Sequence, residues 1–489
     1  GRIEIREGHL ALVLVQQRAH GRDVVALDPR ALGVRIRDDL VQRTARIEGG
    51  IVTAGPGESD GHGGATLAAF MRARTALCAL GLALFVPLVA GPRASADSAW
   101  IEAGDIPLPD WAKSVEIVRD DEALSSSPGG PRRGLVAAGV RLPLLGATRG
   151  PGCVSRWLLV GPLAYICSDK AKLSAEPAGV DASIHPVPTD AMPYRYYFVG
   201  KEGADAFAKL ADVDDESPAE QLERGWSIAG VSEVTHKGAN YVLTRKGRFV
   251  PRAEVGAIVP FAFHGETINK PEIDFGWILP EKTNVLSDAK SSAKVVGVRT
   301  RLQKIDVLES KKVGKDTFLR IGDAQWVNAA ATRVPTVAPK PDEVPSNARW
   351  MDVELASQTL VAYEGDKPVF ATVVSTGKVP GTTPKGLHKI WVKLRSTTMS
   401  NADDAKDTND DSTPYSIEDV PWVQYFSNGV ALHGAFWHRK FGNVNSHGCV
   451  NLTPLDAMRL FDWSLPRLPR GWDAVFPTTA EPASFVRVR

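Results

Sequence analysis

Cysteine is scarce here, with four in 489 residues, and no two of them form the Cys-x-x-Cys pair from which common zinc sites are built. An excess of charge of one sign is also missing. The 58 basic residues face 57 acidic ones, which leaves no global field to draw the chain to nucleic acid. No internal repeat stands out. Nor is there an apolar run fit to cross a bilayer, because the candidate at residues 75–90 is short and is broken by Pro87, so no stable membrane span is expected. The chain opens on Gly1 rather than methionine, and its first 70 residues are Arg-rich without a sustained period. The length is too great for one core and implies several domains.

What is present accounts for that opening. Met71-Arg72-Ala73-Arg74 is a basic n-region, residues 75–90 are an apolar core, and Ala94-Ser95-Ala96 is a small-residue cleavage site, the pattern of a secretory signal over 71–96. Cys78 follows Leu77, where a lipoprotein signal would want a small residue, so no lipid anchor is expected. The reading is translation from Met71, with residues 1–70 a non-native or disordered extension. The mature chain would start near Asp97 and be exported to the periplasm or cell wall.

In an oxidising compartment the remaining cysteines divide. Cys153 and Cys167 flank a strand-like run and a Gly161-Pro162 turn, which suits a disulfide across a hairpin. Cys449 is then the odd thiol, reactive rather than structural. Short β-like runs at 134–136, 140–145 and 157–160 suggest an SH3-like β module over 97–180. Residues 181–332 read as a mixed α+β region, with strands at 194–199, 227–234, 241–244 and 294–307 and a short helix at 202–210. The aromatic cluster at 194–198 reads as a half-buried strand in preference to a sugar-stacking platform. Residues 333–347 are proline-dense and read as a stiff linker. Beyond it, 348–480 is β-rich with few helices. Strands are expected at 349–355, 358–363 and 368–374, with a hairpin turn at Glu364-Gly365-Asp366 and a tight turn at Thr383-Pro384-Lys385-Gly386. The aspartates of 401–412 lack the spacing of a calcium loop, so this stretch reads as a solvated flap. The fold class is mainly β and multidomain.

The densest chemistry lies in ALHGAFWHRKFGNVNSHGCVN, residues 431–451. A thiol attacks only as the thiolate, so Cys449 needs a proton acceptor and a pKa below its free value of about 8.5. His433 and His447 are both candidates. Residues 430–432 read as a short buried strand with His433 at its end, and 450–452 lead to a helix starting near Thr453, whose dipole would favour the thiolate. Gly448 lets the backbone bend and turn N–H groups toward a developing oxyanion. Acyl transfer is the natural reaction class. His447 and Cys449 are too close in sequence for usual zinc pairs, so no metal is expected, and His438 reads as an exposed polar residue.

The pattern His433-Gly434, a gap, then Ser446-His447-Gly448-Cys449-Val450-Asn451 resembles the signature of the L,D-transpeptidases, whose catalytic domain is of the YkuD type. The stretch STGKVPGTTPKG at 375–386 and the strands at 350–363 resemble further parts of that domain. The resemblance covers roughly the last third of the chain. It implies a YkuD-like catalytic domain over 348–480, with Cys449 as nucleophile, His433 as base and the Gly434 carbonyl orienting it. Backbone N–H groups of His447, Gly448 and Cys449 would form the oxyanion hole, with Ser446 and Asn451 supporting the turn. The implied partners are donor and acceptor peptidoglycan stem peptides, joined in a 3-3 cross-link without a cofactor. Two rivals remain: a cysteine peptidase or amidase that releases the acyl group to water, and a non-catalytic peptidoglycan-binding protein. The oligomeric state is not announced by the sequence. If the signal reading holds, mass spectrometry of the cellular protein will find an N-terminus near Asp97 and no peptides from residues 1–70; recovery of such peptides would defeat it.

Overall fold

Alternating apolar runs become strands along the whole of the described chain. In the computed structural model these residues are 107–182, 184–185, 190–401 and 415–489, with the backbone of a hairpin between Leu12–Gln17 and Arg22–Leu27. The chain divides into two units, residues 1–34 with 103–489, and residues 35–102; the described residues all belong to the first. The expected signal at 71–96, and all but that hairpin of the expected extension at 1–70, lie outside the described residues. So does most of the expected flap, although Asn401 and Tyr415 close its base through an N–H donated from Asn401 to the Tyr415 carbonyl at 3.2 Å. No helix among the described residues is long and apolar enough to cross a membrane.

The front module is all β. Its core gathers Val115, Ile117, Leu124, Val136, Leu158 and Ile166, and it takes in Trp472 and Val475 from the far end of the chain. Strand β1 (Arg132–Val136) pairs directly with Trp472–Val475, so a boundary at residue 180 does not enclose this core. Gly134 makes the contact possible, because a Cβ there would lie 2.4 Å from the Trp472 ring. Cys153 and Cys167 are bonded, with Cα atoms 5.5 Å apart, as the cysteine arithmetic expects.

The middle stretch forms several cores. One is built on β2 (Arg195–Val199) and β3 (Ser227–His236), with Tyr197, Ile228, Val242 and Val250 inside. Tyr196 and Tyr197 are both buried, so the aromatic cluster is core strand. The helix expected at 202–210 is not there. Ala204–Ala206 is a strand paired with Glu220–Leu222, and the nearby helix is the single turn α1 (Ala211–Asp214). Ala204 and Ala206 are buried with Asp205 outward, a period of two that a run of good helix formers disguises. Another core holds Ile278, Val285, Ile305, Leu319 and Val327. The run expected at 294–307 breaks there into Val295–Thr300 and Lys304–Asp306, turning at Leu302, where φ is +57°.

Strands β4 (Arg349–Glu354), β5 (Thr359–Glu364) and β6 (Lys367–Val373) are the centre of a six-stranded sheet. Met351, Val353, Leu360, Ala362 and Phe370 face one core. The intervening Trp350, Val361, Tyr363, Ala371 and Val373 face another, with Phe275, Trp277 and Val344. A sheet covered on both faces needs apolar residues at successive positions, as these runs have. Val344 belongs to the proline-dense stretch expected to be a stiff linker. That stretch is docked instead: the Ala338 N–H donates to Tyr363 Oη at 2.9 Å, and Arg487 reaches the Pro339 carbonyl at 2.9 Å. Prolines fix an extended path whether the chain spans water or lies on a sheet, so composition alone does not separate the two.

The first core is closed from the other side by β7 (Val392–Ser400), β8 (Ser416–Ser427), β9 (Val430–Gly434), β10 (Val450–Leu452) and the helix α2 (Pro454–Trp463). Thr453 caps α2, its hydroxyl accepting the Asp456 N–H at 3.4 Å, and Pro454 occupies the first helical position, where its missing N–H costs nothing. Ala457, Leu460 and Phe461 point into the core. At the other end the buried Lys393 ammonium donates to the Phe461 carbonyl and, at 2.9 Å, to that of Ser464. Beyond α2, β11 (Trp472–Val475) joins β7 to β1, and β12 (Phe485–Val488) runs parallel to β4. Because Trp472 serves two modules, Trp472→Ala should cost about 3–5 kcal/mol in urea unfolding; a loss well under 1 kcal/mol would mean that the shared core does not bind them.

Candidate active site

Three parallel pairs, Leu432 with Val450, His433 with Asn451 and Gly434 with Leu452, join β9 to β10. Side chains of paired residues project to one face, and so do those two apart. His433, Asn451 and Cys449, which immediately precedes β10, therefore share a side of the ladder. One step back along the register sets Ala431 opposite Cys449. Cys449 Sγ lies 3.9 Å from the Gly429 carbonyl and against the Ala431 N–H. Among the described residues Cys449 is the free cysteine, and it is partly exposed.

His433 is buried, and its ring stacks on Trp437 with centroids 5.6 Å apart. Its Nδ1 lies 3.3 Å from the Gly434 carbonyl oxygen. A carbonyl can only accept, so this contact places the proton on Nδ1 and leaves Nε2 as the basic nitrogen. Trp437 is held in turn by Phe436, and Phe436 by Tyr196 of the middle region at 4.1 Å.

The turn before Cys449 is tied on itself. Ser446 Oγ donates to the Cys449 carbonyl at 2.5 Å and accepts the Gly448 N–H at 3.1 Å. That second bond diverts a donor expected to face the oxyanion. Gly448 has φ +154°, and a Cβ there would lie 2.8 Å from the Thr382 carbonyl oxygen. The 375–386 loop is what presses so close. Ser375 and Asn451 exchange backbone hydrogen bonds at 2.9 and 2.8 Å, Lys378 N–H reaches the Ser446 carbonyl at 2.8 Å, and Thr383 Oγ1 donates to the Gly448 carbonyl at 2.7 Å. Gln358 holds the loop from below through Thr376, at 2.7 and 2.9 Å.

Other expectations change. His447 is exposed, with its ring stacked on Tyr415 at 5.2 Å, whereas His433 is the buried imidazole on the Cys449 side of the ladder. His438 is half-buried rather than exposed, and its Nε2 meets the Asn451 side-chain amide at 2.9 Å. The strand β10 intervenes between Cys449 and α2; a helix dipole fades within a turn of its end, so α2 contributes little to the thiol. Sequence reasoning missed Trp437 and Gln358 as site neighbours, since nothing in their spacing marks the contacts they make.

Comparison with known proteins now adds to this geometry. Residues 348–475 match the family model of the L,D-transpeptidase catalytic domain, YkuD. No curated protein matches the chain. Among solved structures it is similar to a cysteine-to-serine mutant of the Enterococcus faecium L,D-transpeptidase, at 23% identity over 29% of this chain and 50% of that one, with a TM-score of 0.22. It is also similar to an L,D-transpeptidase from Stackebrandtia nassauensis, at 26% identity over 30% and 58%, TM-score 0.20. L,D-transpeptidase 3 from Mycobacterium tuberculosis is similar at 15% identity over 48% and 91%, TM-score 0.23. The chain thus spans between half and three-fifths of the first two.

Within the matched residues the electrostatics run against the sequence expectation. Burial pushes the Cys449 thiol up to about 11, with the Ala431 N–H opposing. Burial likewise pushes the His433 imidazole down to about 4, with the Gly434 carbonyl opposing. Both shifts favour the neutral form, so the resting pair at neutral pH is thiol and imidazole, not thiolate and imidazolium. His433 is then a neutral imidazole, able to accept a proton. Alkylation of free enzyme by iodoacetamide, which needs a preformed thiolate, should therefore rise about tenfold per pH unit from 7 to 10. A plateau reached by pH 7 would show an ion pair instead.

Proposed function

We propose that this chain is an exported peptidoglycan L,D-transpeptidase that works through a Cys449 acyl-enzyme. Cys449 Sγ attacks the carbonyl that precedes the terminal D-alanine of a donor stem peptide, and His433 Nε2 takes the thiol proton. The intermediate collapses with loss of D-alanine, which His433 protonates as it leaves. An amine of an acceptor stem then displaces the sulfur to give the 3-3 cross-link. Backbone N–H groups of His447 and Cys449 serve the oxyanion, while Gly448, Ser446 and Asn451 keep the turn that presents them. No cofactor enters the scheme.

The observation that carries this reading is the Gly434 carbonyl beside His433 Nδ1, at 3.3 Å, on the strand paired next to a free, partly exposed thiol. It does for the imidazole what a carboxylate does in other triads, fixing tautomer and direction. The match of residues 348–475 to the transpeptidase catalytic domain supports the reaction class. The secretory pattern at 71–96 supports export, to where peptidoglycan is found.

Intact mass of the purified chain after exposure to a carbapenem tests the nucleophile. The wild type should gain the mass of one inhibitor and Cys449→Ala none; labelling of both sinks the assignment. Muropeptides incubated with the wild type and an acceptor stem should yield cross-linked dimers. Release of D-alanine without dimers would favour the peptidase or amidase, and a Cys449→Ala protein with full cellular function would favour the wall-binding protein.

A further inference from the structure

The His433 imidazole is steadied at two places, its face by Trp437 and its Nδ1 by the Gly434 carbonyl. Both supports lean on one residue from outside the family match. Tyr196, on β2, lays its ring 4.1 Å from that of Phe436, and Phe436 meets Trp437 edge-on at 5.1 Å. Its hydroxyl donates to the Asp419 carbonyl at 2.6 Å. Asp419 opens a strained stretch of β8. Its φ is +48° and that of Trp422 is +61°, values that a residue with a Cβ rarely takes, and the β7–β8 register shifts between Thr397 and Met399. Pro421, inside this stretch, backs Gly434: a Cβ there would lie 3.1 Å from Pro421 Cγ and 3.4 Å from its carbonyl oxygen. The middle region also holds the far end of the stretch, where Trp422 Nε1 donates to the Ala191 carbonyl at 2.6 Å.

Strained backbone persists where its surroundings over-determine it, and Tyr196 and Ala191 are two of the groups that do so here. At 2% exposure Tyr196 offers substrate no surface, so it can act on the reaction only through the rings and the strand that it touches. We propose that Tyr196 is a positioning residue for the catalytic base, its ring acting through Phe436 and Trp437 to hold the His433 imidazole toward the Cys449 side of the ladder. This role rests on the transpeptidase reading above. The hydroxyl anchors the ring to β8, and the ring fixes the next two in line. Aromatic neighbours settle in preferred tilted and edge-on arrangements, so loss of the first ring frees Phe436 and Trp437 to reorient. His433 then loses the support on its face, and Nε2 turns away from the thiol proton. Misplacing a catalytic group by about 1 Å can cost about a hundredfold in rate. Part of the support for the base thus lies upstream of residues 348–475, in the middle region.

Two reactions of the same sulfur in the full chain tell a misplaced base from a damaged fold. Carbapenem acylation uses His433 to take the thiol proton, whereas iodoacetamide alkylation at pH 10 draws on thiolate that solvent hydroxide forms. Tyr196→Leu should lower the acylation rate constant at pH 7 about 10–100-fold with the half-saturating carbapenem concentration unchanged. Its alkylation at pH 10 should stay within about twofold of the wild type. Tyr196→Phe keeps the ring and should acylate within about threefold of the wild type. Phe436→Leu breaks the same path, so adding Tyr196→Leu to it should cost less than about twofold more. A Leu variant that acylates like the wild type, a Phe variant as slow as the Leu one, or equal losses in acylation and alkylation each overturns the role. So does a full further loss on top of Phe436→Leu. A wild type that is alkylated but never acylated would instead sink the transpeptidase reading. Should Tyr196→Leu fail to fold, Tyr196→Met fills much of the space without a ring and is judged on the same two rates.

Discussion

A parallel ladder of three residue pairs between β9 and β10 is what the site depends on. Its register decides that His433 and Cys449 share a face, and a slip of one residue would turn one of them to the other side. Parallel pairing requires a long crossover, and residues 435–449 supply it, carrying Trp437 onto the His433 ring and the Ser446 turn up to the sulfur. The 375–386 loop locks the ladder from outside, since its backbone exchanges hydrogen bonds with Asn451 and its Thr382 carbonyl occupies the space where any side chain at 448 would go.

Burial sets the chemistry of this pair. Enclosed by β8, β9 and the Trp437 ring, neither group gains by ionising first, and the base waits neutral with its proton on the far nitrogen. Such a thiol is slow toward electrophiles that need a preformed thiolate. Elsewhere on the chain, Cys153 and Cys167 are joined to each other, so neither offers a thiol for exchange with Cys449.

Much of the last third was legible because its signals are local. The hairpin turn at 364–366, the strand before His433 and the cap at Thr453 each follow from a few adjacent residues, and the strands and helix lie where those residues put them. Signals that act between distant segments were not legible. Gln358 meets the site only through the loop that it supports. The thiol's raised pKa comes from enclosure by residues far apart in sequence, which the neighbouring Gly448 and His447 do not reveal. At 202–210, Glu, Ala, Lys and Leu satisfy a helix locally, and pairing with Glu220–Leu222 overrides them. The proline-dense stretch misled for the opposite reason: its local conformation was read correctly, and its docking was decided by Tyr363 and Val344.

The central sheet of the catalytic domain has no polar back. Trp350, Val361, Tyr363 and Ala371 are covered by Phe275, Trp277 and Val344, from segments that precede the family match at 348–475. The match therefore outlines the chemistry and not an autonomous folding unit. A gene fusion or recombination event that transplanted only those residues would carry an oily surface into solution.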